Sequence, residues 1–176
     1  MKIAGHTMGT PDLNLRGAMR LFSRIGFDGI EVRCAKDGQL DSTTADDALL
    51  QLVRDWQQET GVQITCLTSY FKDFVTDRRD VELAGLKQVV DIAARLSVPM
   101  VRVYGGLDPV PEGYTREQDW ERTASGIREI GLLAGDHSID VCVETHNGSL
   151  TLSAADTVRM VEMVDLDNVG ILFDYA

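Results

Sequence analysis

The chain has 176 residues, 44% hydrophobic and 26% charged, with 17 Lys and Arg against 28 Asp and Glu and a formal net charge of -11. That length suits one domain with a sizeable core, residues 1–176 throughout, and the composition is that of a soluble globular protein. Such acidity repels phosphate backbones and anionic membranes, which argues against nucleic-acid and membrane partners; it leaves room for a small phosphorylated substrate held by one or two arginines.

The N-terminus, Met1-Lys2-Ile3-Ala4-Gly5-His6, reads as the start of a strand rather than as an apolar leader, and no window approaches the ~18 apolar residues of a membrane span. Short apolar runs then recur at residues 3–8, 29–34, 64–70, 100–104, 141–144 and 169–173. Between them lie stretches with apolar residues at helical spacing, such as Leu49, Leu50, Val53, Trp56 and Leu86, Val89, Val90, Ala93. Thr44 with Asp47, Thr115 with Gln118 and Ser153 with Asp156 fit the pattern of helix N-caps. The helix-to-strand joints IGFDGIEV, TGVQITCL, LSVPMVRV and HSIDVCVE each place a small or turn residue before the next strand.

Strands alternating with helices predict parallel pairing with right-handed crossovers. The loop after the first run, His6-Thr7-Met8-Gly9-Thr10-Pro11, is neither GxGxxG nor a phosphate loop. Instead, His6, Glu31, Arg33, Ser69, Arg102, Tyr104, Glu144, His146 and Asp174 stand at the C-terminal ends of the runs, where a β/α barrel collects its chemistry. Cys34, Cys66 and Cys142 lie far apart without CxxC spacing, which predicts buried free thiols in a reducing cytoplasm.

Strand alternation turns Val141 and Val143 toward the helices and Cys142, Glu144 and His146 inward; Ile171 and Phe173 go outward, Gly170, Leu172 and Asp174 inward. Two carboxylates on neighbouring strands, about 5 Å apart laterally, need a positive partner. A divalent cation meets that need, and so do inward arginines, Arg33 and Arg102. His6 and Glu31 are candidate substrate contacts or loop anchors. Arg102 and Tyr104 are placed to meet a hydroxyl or phosphate, and His146 to orient Glu144 or the substrate. His137 belongs to the opposite end, and Trp56 and Trp120 to helix packing.

The segments GFDGIEVR, VRVYGG, VCVETHNG and NVGILFDYA resemble, in order, the xylose-isomerase-like barrel family of sugar phosphate isomerases and epimerases. The resemblance implies an incomplete TIM-type (β/α) barrel, with six of eight βα units and strands seven and eight absent. It implies one divalent metal, Mn or Mg with Co or Zn as alternatives, bound by Glu144 and Asp174, and weakly or not at all by this chain alone, since the family's ligands on the last two strands have no counterpart here. The implied activity is isomerisation or epimerisation of a sugar, sugar phosphate or small hydroxy-carbonyl compound through an enediolate, with Glu144 moving the proton. An inosose-dehydratase-type lyase is the nearest alternative, and an inactive shortened chain another. Three histidines and the net charge argue against the family's abasic-site endonucleases. Open edges on the first and sixth strands predict a homo-oligomer.

Overall fold

A computed structural model of the chain describes residues 2–174. The apolar runs become β1 (Ala4–His6), β2 (Gly29–Cys34), β3 (Gln63–Ser69), β4 (Met100–Tyr104), β5 (Asp140–Glu144) and β6 (Val169–Leu172). The amphipathic stretches between them become α1 (Leu15–Ile25), α2 (Asp47–Thr60), α3 (Arg79–Leu96), α4 (Arg116–Gly135) and α5 (Ala154–Val164). The strands form one parallel sheet in sequential order, β1 to β6. Val32, Val101, Val103, Val141 and Val143 share a single core cluster with Leu50, Val53, Leu86, Val90, Ile127 and Met160 from the helices, all of them fully buried. Each such side chain contributes about 1.5–3 kcal/mol by leaving water.

Local signals account for the element ends. The left-handed residue at each of the four joints is the small one: Gly26 (φ 86), Gly61 (φ 70), Ser97 (φ 56) and Ser138 (φ 57). Thr115 closes a full capping box with Gln118, and Ser153 caps α5 by accepting from the Asp156 amide. Thr44 is not the cap of α2. Asp46 takes that place, its carboxylate accepting from the Leu49 amide, where a negative charge also meets the positive end of the helix. The first strand is shorter than its apolar run because the His6 ring accepts the Met8 amide and turns Thr7–Gly9 into a single 3-10 turn.

One irregularity changes which side chains face inward. Ile30 pairs with Ile64 but Glu31 pairs with Cys66, so β3 carries an extra residue, Thr65. Beyond this bulge the alternation of β3 is inverted, a recognised way of re-aiming side chains. Ser69 therefore turns away from the interior, fully buried, with its hydroxyl on the Arg102 carbonyl at 2.8 Å, and Tyr70 takes the inward position.

Among the described residues β1 pairs only with β2, and β6 only with β5. The sheet is six-stranded and open, a TIM-barrel-like arc of alternating strands and helices.

Candidate active site

The arc curves enough for residues from its first and last strands to line one cavity. About 430 Å³ in volume, it is bounded by His6 and Met8 at one end, Tyr70, Arg102 and Tyr104 in the middle, and Glu144, His146 and Asp174 at the other. The register explains the grouping: Arg102 stands opposite Thr68 and Cys142, and Tyr104 opposite Glu144, so side chains of equal height share one face. Asp174, two residues past Leu172, falls on the same face as Leu172, which is the partner of Glu144.

Glu31 does not join them. It sits beside His6 in the register but lines a different cavity, with Lys2, Gln63 and Met100 near the N-terminal ends of the strands. Burial raises its pKa, with Arg102 opposing and Glu144 reinforcing the shift, so it is an interior acid beneath the site. Arg33 touches the cavity's wall but not its acids: its guanidinium lies 5.0 Å from the Tyr70 ring centroid, and its hydrogen bonds go to the Asp37 carboxylate at 2.6 Å and the Asp37 carbonyl at 2.9 Å. An ion-pair network using both arginines is therefore not formed.

Arg102 is the buried cation of the site, 3% exposed. Its guanidinium lies 4.2 Å from the Tyr104 ring centroid and 4.9 Å from that of Tyr70, and one terminal nitrogen donates to the Ser69 carbonyl. Its Nε is 3.4 Å from Glu144 Oε2, yet both atoms are buried without a hydrogen bond. Burial pushes the Glu144 pKa up; Arg102 and His146 oppose that, and Asp174 adds to it.

His6 has a defined tautomer. Its Nδ1 accepts the Met8 amide at 3.0 Å, so the proton is on Nε2, which lies 3.1 Å from Thr68 Oγ1; that hydroxyl passes its own proton to the Val32 carbonyl at 3.2 Å. Burial first, then Arg102 and Arg33, lower its pKa, and the ring is neutral with both nitrogens engaged by the protein. His146 packs edge-on against Tyr104, centroids 4.7 Å apart, and donates from Nδ1 to the Asn147 carbonyl rather than to Glu144. Its Nε2 is the ring nitrogen left to face the cavity.

The backbone under Glu144 and His146 is pinned by hydroxyls. Thr151 Oγ1 donates to the Glu144 carbonyl at 2.7 Å, Ser149 Oγ donates to the His146 carbonyl at 2.7 Å, and the His146 amide returns to the Thr151 carbonyl at 3.0 Å. A Cβ on Gly105 would lie 2.3 Å from the Thr151 side chain, so this close approach of the β4 and β5 loops requires glycine.

Tyr70 and Met8 are the site residues that strand-end reading misses. Tyr70 Oη donates to Met8 Sδ at 3.1 Å, closing one wall of the cavity. The bulge at Thr65 hides the phase that would have pointed to Tyr70. The three cysteines are free thiols, and burial pushes all three up, Cys34 to about 12. His137 is exposed past the end of α4, and Trp120 is buried in the core.

For a divalent cation, the orphaned Oε2 of Glu144 and the neighbouring Asp174 carboxylate are a fitting pair of hard oxygen donors. Among the described residues no group of three or more His, Cys, Asp or Glu converges as a metal cluster, so these two are a partial ligand set.

Residues 19–176 match the family model of the xylose isomerase-like TIM barrel. The inosose dehydratase of Mesomycoplasma hyopneumoniae (strain 7448) is 23% identical over 167 residues, covering 93% of this chain and 53% of that protein. The chain thus spans about half the length of this relative. In fold, it is similar to the 3-keto-D-glucoside 4-epimerase of E. coli (TM-score 0.80, 20% identity, covering 99% of this chain and 68% of that one). It is also similar to a xylose isomerase-like barrel from Mycobacterium smegmatis in complex with magnesium (TM-score 0.75, 18% identity, 97% and 63% covered). With the six parallel strands, the five helices between them and the rim cavity in place, the chain belongs to the xylose isomerase-like TIM barrel family.

Proposed function

We propose that this chain carries the base-bearing part of a metal-dependent isomerase or epimerase site for a sugar or small hydroxy-carbonyl compound. The observation that supports it most is the Glu144 carboxylate: 8% exposed, one oxygen without a hydrogen bond, and facing a cavity shared with Asp174. Glu144 and Asp174 would hold the cation, which when bound would draw charge from the substrate carbonyl and acidify the adjacent C–H. Glu144 takes and returns that proton, which a carboxylate can do at neutral pH once the adjacent C–H is acidified. Arg102 keeps the carboxylate oriented, the rings of Tyr104 and His146 supply an apolar face for the sugar's C–H groups, and the His146 Nε2 meets a substrate hydroxyl. His6 holds Thr68 and the wall of the cavity rather than offering a free polar atom.

A lyase on the same site is the second reading, and the relative's name, inosose dehydratase, favours it. Proton removal beside a carbonyl is common to both, and the fate of the neighbouring hydroxyl divides them. The purified chain with Mn²⁺ is incubated in D₂O with a ketohexose or with an inosose, followed by NMR and mass spectrometry. Deuterium at the carbon beside the carbonyl, lost in Glu144→Gln, is the expected result, and loss of water in place of exchange selects the lyase. Neither exchange nor turnover with any divalent metal would overturn the proposal.

The same reading makes a small carbohydrate the partner. Two edges of the molecule also expose apolar side chains, Ile3, Met8 and Ile25 along β1 and α1, and Val158, Ile171 and Phe173 along α5 and β6. These edges support self-association of the chain. The three unpaired thiols support a reducing, cytoplasmic setting, and no helix among the described residues is long and apolar enough to cross a membrane.

A further inference from the structure

Tyr70 is a wall between two cavities. Its far side bounds a second cavity of about 220 Å³ under the loop that follows β2, also at the C-terminal rim. Phe71, the next residue, shows its ring to the same space, and a Cβ on Gly85 would lie 2.2 Å from that ring, so the ring is seated where α3 has no side chain. Part of the polar lining is spent: Glu82 accepts from the Lys72 and Asp73 amides and from Arg78, and the Thr43 hydroxyl donates to Asp41. Among the described residues Lys36 makes no hydrogen bond or ion pair, the Ser42 hydroxyl has no partner, and Asp41 uses only one of its carboxylate oxygens, on Thr43. Alone, the second cavity is smaller than an ordinary ligand pocket; taken with the first across Tyr70, it reaches the ordinary range of about 300–1,000 Å³.

We infer that the second cavity is a subsite for a sugar substituent, so that the preferred ligand is a glycosylated ketose whose second ring crosses Tyr70, rather than a bare monosaccharide. Guanidinium groups of Arg33 and Arg102 already stand over the Tyr70 ring, at 5.0 and 4.9 Å, so the apolar contact for a sugar ring's C–H groups falls to Phe71, and the ammonium, hydroxyl and carboxylate at the cavity's margin suit ring hydroxyls as donor and acceptor partners. A phosphate is a poorer match, because Asp41 faces the same space as Lys36. This inference rests on the reading of the first cavity as a carbohydrate site, but concerns residues outside it.

Calorimetry or saturation-transfer NMR on the whole chain, without turnover, compares D-fructose with its glucosylated forms palatinose and turanose. Wild type is expected to bind at least one glucosyl-fructose about tenfold tighter than D-fructose. Ser42→Phe, which fills the second cavity, and Lys36→Ala, which removes its free donor, are expected to erase that preference and leave D-fructose binding unchanged. Equal affinities in wild type, or a preference that survives both variants, would overturn the subsite while the carbohydrate site stands. Absence of binding by all three sugars to the folded chain would overturn both.

Discussion

Arg102 Nε and Glu144 Oε2 lie 3.4 Å apart inside the arc, and neither atom completes a hydrogen bond. The guanidinium spends its other contacts on the Ser69 carbonyl and two tyrosine rings, so it balances the Glu144 charge without sealing the carboxylate. An acid held in this way is neutralised yet available.

Arg102→Met removes the buried cation beside Glu144 and leaves a buried acid near Asp174. Breaking such a pair costs about 3 kcal/mol, and the cost should grow with pH, because the Glu144 pKa then rises further and the ionised form is the unfavourable one. Urea unfolding at pH 5 and pH 8 measures it. Adding Glu144→Leu should restore most of the loss. A single variant as stable as wild type at both pH values would show the pair to be energetically idle.

Divalent metal should bind weakly. Two carboxylates leave most of a six-coordinate shell to water, which places Mn²⁺ affinity in the range of about 0.1–1 mM or weaker. Calorimetry on the monomeric chain checks this, with Asp174→Asn expected to abolish the remaining heat. Micromolar binding would mean that further ligands converge on the site.

Asp119, the fourth residue of α4, is fully buried with one oxygen unpaired and the other on Thr123 at 3.3 Å. Burial pushes its pKa up to about 6 against an ordinary 3.8. Because the folded value is the higher one, the folded state is favoured when the acid is protonated, and stability is lost as pH rises from about 4 through 6. Asp119→Asn should therefore gain on wild type across that window, by on the order of 3 kcal/mol, and hold the gain unchanged above pH 7. A difference that does not vary with pH would contradict the assignment.

Sedimentation should show self-association, with Ile171→Lys and Phe173→Lys together shifting the chain toward monomer. These two side chains are exposed on β6 and just after it, on an edge with no neighbouring strand among the described residues. A wild-type chain that remains a stable monomer at high concentration would exclude this surface as an interface.

The sequence by itself determined the succession of strands and helices, because burial of alternating valines such as Val141 and Val143 and left-handed turns at Gly26 and Ser97 are local or periodic requirements. It also placed His6, Arg102, Tyr104, Glu144, His146 and Asp174 near one rim, since strand-end position needs only the chain order. Only the tertiary structure decided what those groups touch. The bulge at Thr65 exchanged Ser69 for Tyr70, Asp37 captured Arg33, and Glu31 came to line the lower cavity. Each outcome depends on a partner distant in sequence or on one residue of register, and neither leaves a periodic trace along the chain.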